Sequence, residues 1–551
     1  MITTERLKAE MQLPAGLYCP SYYKAKAYRE KHDADIPEKR AAACAALFGD
    51  SKPYIYHNDL IVGTRTGLWV DITPDQKKES EKEAAVIGER SFWTNSDHFA
   101  PDYRYMTERG VPGMIADIEE SMKIHSDDGG RVRTLTNMKT AMLGFLRMIK
   151  NYRVLAESLY GTDGYNYKQL DFITSNLKQL ENGVPETFAQ ALQLVWLCHV
   201  AFNYEERYAM ALGRIDQYLY PFYRRDKENG TLTDDLATEL LENTFIKIYE
   251  KNKFLQGDDV VNICIGGKSP DGTCDVNGLS YCVLHAVRNC GVPGPNLSAR
   301  ISAATPDDFT DECLKVIGTG LGYPALMNDE ANIPALSRFG YEEKDVYDYA
   351  MVGCIENFIP GKQPAWSDGR FDAPRFFEFI FNDGKRIKGE GTGINPGPLC
   401  EIDSMEKFME KFEEQLEKGV ADYCNGFNSS VRLKNPENYT SPFLSCFCRE
   451  CVERGMDINL GGTKYPSVHG AAVMGVATTS DSLAAIEKTV FVDHTATLEE
   501  IREALLCNFE GKEKLRQLLL DAPKYGNNDD FVDKYAVWFT DFFADEFGKY
   551  Q

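Results

Sequence analysis

Cys354 and Glu356 stand two residues apart, just after a short apolar run, Ala350-Met351-Val352, that Gly353 interrupts and Pro360-Gly361 stops a second time. A thiol is a competent radical or nucleophilic centre, and a carboxylate beside it can move protons. In extended backbone, residues i and i+2 point to the same side, so the spacing predicts that thiol and carboxylate face one cavity. Glycine before the cysteine lets the backbone come close to another group. The same residues also suit a buried thiol at a strand end with a surface glutamate, since free cysteine is among the most buried residue types.

The elements around this stretch alternate. Strand-like runs at 260–265, 296–301, 325–328 and 350–354 are separated by helical spacing, which predicts an α/β fold with a closed or multi-stranded parallel sheet. Residues 1–65 read as helical pieces leading to a short strand at 58–63 that ends in Gly63. From 113 to about 205 the apolar period is mostly helical. Thr233 is placed to cap a helix over 234–252, and long helices are predicted at 404–424 and 480–490. Repeats, low-complexity tracts and an obvious linker are missing, so residues 1–551 are read as one large domain, with 1–110 as an N-terminal helical and loop region packed on it.

Composition narrows the function. Of 551 residues, 43% are hydrophobic, enough for a large core, and the net charge of −23 argues against nucleic acid and anionic membrane surfaces as partners. Fifteen cysteines without a small secreted framework suit a reducing compartment. The first residues lack a signal peptide's basic end and apolar core, and the apolar run at 188–202 is broken by Gln190, Gln193 and His199, as in a core helix. The expected location is cytoplasmic.

Three motifs are discounted. Gly266-Gly267-Lys268-Ser269 lacks the upstream glycine of a phosphate loop, where Asn262 stands, and Pro270 opposes the helix that should follow. Gly318-Thr319-Gly320-Leu321-Gly322 has the wrong spacing for a dinucleotide fingerprint and precedes a strand. Cys446, Cys448 and Cys451 have no second pair nearby at cluster-like spacing, so no metal site is assigned.

Gly353-Cys354-Ile355-Glu356 followed by Pro360-Gly361-Lys362 resembles the cysteine loop of the glycyl radical enzymes. Residues 213–223 (Gly-Arg-Ile-Asp-Gln-Tyr-Leu-Tyr-Pro-Phe-Tyr), Gly266-Gly267 with Asp271-Gly272, Pro295-Asn296-Leu297-Ser298, residues 477–486 and residues 522–530 look like the same family, in the same order, across roughly 50–551. The resemblance implies a ten-stranded α/β barrel of two five-stranded half-barrels, surrounded by helices, with the cysteine loop inside. It also implies that Cys354 carries a thiyl radical that abstracts hydrogen from a substrate carbon. The acyl-transferring branch uses two adjacent cysteines, whereas position 353 here is glycine. A single cysteine followed by Glu resembles the dehydratase and lyase branch, in which the glutamate deprotonates the hydroxyl on the radical-bearing carbon. That role carries over to Glu356. Radical decarboxylases share the Cys-x-Glu pattern and are the alternative.

The resemblance assigns further residues. His98, in Asp97-His98-Phe99-Ala100-Pro101-Asp102, resembles a histidine that protonates or holds the leaving group. Tyr208 aligns with a substrate-binding position. Ser367, Asp368 and Arg370 replace a Thr-Gly-aromatic pattern after the loop. An unpaired guanidinium in a cavity requires either a carboxylate such as Asp368 or an anionic substrate. Ser467 and His469, with Asn296 and Ser298, complete the expected lining.

Members of this family keep the parent radical on a glycine in a motif like Arg-Val-x-Gly-aromatic, which is not found in these 551 residues. The favoured expectation is a large subunit of a split enzyme that binds no cofactor itself. A small partner polypeptide would carry the glycine and dock near residues 525–551. An S-adenosylmethionine and 4Fe–4S activating enzyme would install the radical on it. Homodimerisation is a further expectation. A shortened chain and a catalytically inactive binding or regulatory relative are the alternatives.

Overall fold

The computed structural model describes residues 2–85, 97–365, 367–429, 436–466 and 469–550. The chain divides into two compact units, Met1–Ser367 with Asn435–Val468, and Asp368–Lys434 with His469–Gln551.

The first unit is α/β. Strands β1 (Leu17–Tyr18) and β2 (Trp69–Val70) form an antiparallel pair. Strands β3 (Asp97–Phe99) and β4 (Tyr208–Met210) form a parallel one. Strands β5 (Gly213–Arg214), β6 (Asn262–Gly266), β7 (Asn296–Ile301) and β8 (Ala325–Asn328) make a four-stranded parallel sheet in that order. Helices Gly278–Cys290 and Asp307–Val316 make the crossovers that parallel neighbours require. Every residue of β6 is buried, as is β7 up to Arg300, the mark of a sheet covered on both faces. The amide of Ala211 donates to Phe99 O at 2.9 Å, and that of Leu212 to Asn262 O at 2.8 Å, linking the β3–β4 pair to the larger sheet.

Helix Phe188–Tyr204 is buried along its whole length, so it is a core element. A reciprocal capping box between Thr187 and Gln190 starts it. Among the described residues, no helix is long and apolar enough to cross a membrane. Thr233 caps helix Asp234–Phe245 as its sequence predicts, but the last turns tighten into Ile246–Tyr249 before helix Glu250–Leu255.

Residues 58–63 depart from the predicted strand. They lie against helices, and helix side chains take the place of a partner strand. Asn243 Oδ1 accepts from the amides of Leu60 (2.9 Å) and Ile61 (3.0 Å). The Gln193 carboxamide accepts from Val62 N and donates to Val62 O, both at 2.7 Å. Trp196 Nε1 donates to Gly63 O at 2.9 Å. Buried backbone groups must be paired, and here polar residues of two core helices pair them. Gln193, which interrupts the apolar run in the sequence, is one of them.

The second unit holds β11 (Ser367–Asp372) from Asp368 onward, paired with β12 (His469–Met474), and helices Met405–Asn428, Val476–Ile486, Leu498–Leu506 and Asp530–Gly548. An aromatic core of Phe371, Phe377, Phe408, Phe412, Phe539 and Phe543 fills it.

Asn243→Ala leaves the buried Ile61 amide and the half-buried Leu60 amide without their acceptor, at a cost of about 1–3 kcal/mol for the buried one. Hydrogen exchange at Leu60 and Ile61 should then accelerate strongly while the β6 amides stay protected; unchanged protection at both would refute the role of the side chain.

Candidate active site

Strands β9 (Ala350–Val352) and β10 (Glu356–Phe358) form an antiparallel hairpin with Val352 opposite Glu356, so Gly353, Cys354 and Ile355 make a three-residue turn. The alternation argument fails here. Cys354 lies in the turn, not in a strand, and it is Gly353 that turns the chain, with φ +56°. A Cβ on Gly353 would lie 2.1 Å from His98 Cδ2 and 2.9 Å from Glu356 Oε2, so only glycine fits between these two side chains.

Thiol and carboxylate come together all the same, by folding back. Glu356 Oε2 accepts from the amides of Cys354 at 2.8 Å and Ile355 at 3.0 Å. His98 Nε2 stands 3.8 Å from the same oxygen. Turn amides therefore orient the carboxylate beside the cysteine backbone, while Cys354 itself is exposed at the tip. His98 is buried and has φ +56°, an uncommon conformation for a non-glycine residue that recurs at functional sites. It comes from β3, whose Asp97 is in register with Tyr208 of β4, so both residues lie on one short ladder. Tyr208 is partly exposed, 39%.

Two asparagines support the turn from below. Asn262 and Asn296 face each other across β6 and β7. Asn262 Nδ2 donates to Cys354 O at 2.8 Å, and Asn296 Nδ2 to Gly353 O at 3.3 Å. Tyr323 Oη donates to Asn296 Oδ1 at 2.6 Å. Burial, with Asp258 and Cys354 close by, pushes the Tyr323 hydroxyl above its ordinary value, so it stays protonated as a donor. Asn296, expected to line the substrate cavity, thus spends its amide on the hairpin. Asn262 escaped the sequence reading, where it registered only as a residue standing where a phosphate loop needs glycine. No local signal marked it, because its partner is a turn 91 residues away in the chain. Ser298, two residues beyond Asn296, is buried opposite Cys264, and its hydroxyl has no partner among the described residues.

The stem of the hairpin is held by charge. Arg300, fully buried on β7, donates to Tyr347 O (2.9 Å) and Tyr349 O (3.0 Å), the residues that lead into β9. Asp329 neutralises it through paired bonds of 2.8 and 2.9 Å. Arg214 reaches the same Tyr347 carbonyl at 3.1 Å and pairs with Asp275 and Asp348. Gly267 is needed beside Arg300, because a Cβ there would lie 2.8 Å from the guanidinium carbon. On the far side, Asp345 binds Lys362, Lys464 and Tyr465. Burial would raise its pKa, but these donors prevail and hold it down at about 2. A cavity of about 330 Å³ opens at this stem, lined by Asp102, Arg104, Arg214, Asp348, Lys362 and Arg449 among others. Cys354, Glu356 and His98 do not line it, and most of its charges are already paired.

The remaining expected residues belong to the second unit or lie outside the description. Arg370 is an exposed residue of β11 with no ion-pair partner among the described residues, and His469 opens the paired strand β12. Ser467 lies outside the described residues, as do the side chains of Ser367, Asp368 and His469. Cys446, Cys448 and Cys451 are buried, and burial pushes the first two thiols well up. Among the described residues, no three His, Cys, Asp or Glu side chains are grouped to hold a metal ion.

Known proteins similar to this chain include dehydratases. A (2S)-3-sulfopropanediol dehydratase of Klebsiella oxytoca is 29% identical over 486 residues, covering 83% of this chain and 58% of its own. A trans-4-hydroxy-L-proline dehydratase of Clostridioides difficile is 31% identical over 402 residues, covering 70% of this chain and 50% of its own. The chain therefore spans only about half the length of these curated relatives. The glycerol-bound B12-independent glycerol dehydratase of Clostridium butyricum superposes with a TM-score of 0.87 at 25% identity, over 100% of this chain and 79% of that one. Residues 68–551 match the pyruvate formate lyase-like family, and the chain belongs to it.

Proposed function

We propose that this chain is the large, cysteine-bearing subunit of a glycyl radical lyase or dehydratase acting on a small oxygenated, anionic substrate. The observation that carries the reading is the Glu356 carboxylate bound to the Cys354 amide at 2.8 Å, with His98 Nε2 3.8 Å from the same oxygen. The exposed thiol at a braced turn fits a radical centre. A glycyl radical, borne outside these residues and installed by an S-adenosylmethionine and 4Fe–4S activating enzyme, supplies the oxidising equivalent. Cys354 then takes a hydrogen atom from a substrate carbon. Glu356 accepts the proton of the hydroxyl on that carbon through Oε1, which is not engaged by the turn. The neighbouring group leaves with its bonding electrons, His98 donates a proton to it, and the Cys354 S–H returns its hydrogen to the product carbon.

The finer architecture is part of the same proposal: one domain over 1–551, a ten-stranded barrel of two half-barrels, and a cytoplasmic, anaerobic setting. A small second polypeptide is the favoured carrier of the radical glycine, and homodimerisation of the large subunit accompanies it. Arg370, with Ser367, Asp368, Ser467 and His469, is read as the anion-binding side. Support comes from the exposed guanidinium and from the sulfonated diol in the name of one relative. Tyr208 and Ser298 are read as further substrate contacts.

In deuterated buffer, the activated wild type should wash deuterium into recovered substrate while forming product. Glu356→Gln should keep the exchange and lose about 10²–10⁴-fold in product formation, and Cys354→Ala should lose both. Product at the wild-type rate from Glu356→Gln would favour decarboxylation.

Arg370→Ala should weaken binding of a sulfonated diol by about 1.5–3 kcal/mol, the worth of a charged hydrogen bond, and leave glycerol binding nearly unchanged. An equal loss for both ligands would remove Arg370 from anion recognition.

Electron paramagnetic resonance after anaerobic activation tests the split. A glycyl signal and turnover are expected only when a second polypeptide is added; full activity from residues 1–551 alone would end the split reading.

A further inference from the structure

We infer that Asn262 and Asn296, the latter oriented by Tyr323, are positioning residues that fix the Gly353–Cys354 peptide and thereby aim the thiol. The inference rests on the reading of Cys354 as the reacting centre and adds residues that act on it without touching substrate.

Three features point this way. The two carboxamides are opposite each other on neighbouring parallel strands, and both spend their N–H groups on successive carbonyls of the turn. Asn262 Nδ2 also lies 3.4 Å from Gly353 O, so one side chain spans both carbonyls. Each peptide carbonyl held from below fixes the plane from which the next side chain projects. With the Gly353 and Cys354 carbonyls pinned, the Cα–Cβ bond of Cys354 has one direction.

The second feature is what Asn262 forgoes. It is fully buried, and its Oδ1 meets no donor among the described residues. Its carboxamide is committed to the two turn carbonyls through Nδ2. The third is the link to Tyr323. Gly353 O can only accept, so Asn296 presents Nδ2 to it, and the Oδ1 left on the other side accepts from the Tyr323 hydroxyl, which holds the carboxamide in that setting. Glu356 approaches the same turn through its amides. Amides and carbonyls of the turn are therefore held by different groups.

The test uses Asn262→Ala, Asn296→Ala, Tyr323→Phe and the double variant Asn296→Ala/Tyr323→Phe in the full chain. In resting protein, iodoacetamide labelling of Cys354 is followed by peptide mass spectrometry with exposed Cys400 as internal reference. Labelling of Cys354 relative to Cys400 should speed up in all variants, measured at a temperature below the melting transition of each. In the activated holoenzyme, kcat should fall by about 10²-fold in Asn262→Ala, with KM little changed, as for a small misplacement of a reacting group. The double variant should be no worse than Asn296→Ala, because Tyr323 acts through that residue. Unchanged labelling in Asn262→Ala and Tyr323→Phe overturns the inference, as does a KM effect without a kcat effect. Altered labelling in a protein whose wild type shows no radical turnover would uphold the positioning and sink the proposed activity, so the two failures are distinguishable.

Discussion

A guanidinium with no access to water grips two carbonyls of the chain, and the cysteine hairpin hangs from that grip. Arg300 cannot be buried unless its charge is met, and Asp329 meets it with two parallel bonds. The remaining donors then have nowhere to go but Tyr347 O and Tyr349 O, and the Tyr349 ring lies 4.0 Å from the guanidinium carbon. Direction is what this arrangement contributes. Removing one partner would leave the other as an isolated charge in the core, so the strand entering the hairpin has one stable setting. Arg214 repeats the logic from β5 on the same Tyr347 carbonyl.

From stem to tip the control passes from ionic to neutral groups. At the stem, charged pairs hold the backbone; at the tip, asparagine amides, turn N–H groups and a single carboxylate do so. The difference suits the chemistry proposed. Neutral carboxamides hold the peptide without placing a fixed charge against the thiol, and Glu356 and His98 stand beside the turn as its acid–base groups.

Much of this was legible in the sequence. β7 and β8 fall on the residues that apolar runs between helical segments predict, and β6 begins two residues later than its run. The capped helix after Thr233 also starts where expected. Cys354, Glu356 and His98 were named from their motifs and do converge. Their manner of meeting was not legible, because the i, i+2 rule assumes extended backbone and Gly353 turns the chain through a left-handed residue. The glycine was noticed but read as a point of close approach, which it also is. Asn262 was missed because a lone asparagine at a strand start has no local signature; its meaning depends on a turn 91 residues away in the chain. Residues 58–63 misled for a related reason. An extended run predicts strand pairing, and nothing local reveals that Asn243 and Gln193 will stand in for a neighbouring strand.

The space beside Gly353 bears on how this site can change over evolutionary time. Acyl transfer in the wider family relies on a second thiol at the position this glycine holds. Here that volume belongs to the His98 ring, 2.1–2.2 Å from where a Cβ would stand. A lone Gly353→Cys codon change would drive a side chain into the imidazole and force a β-substituted residue into a glycine conformation at once. Under the proposed function, a second thiol at position 353 requires a replacement at position 98 as well, because the imidazole already fills the volume that the new side chain needs.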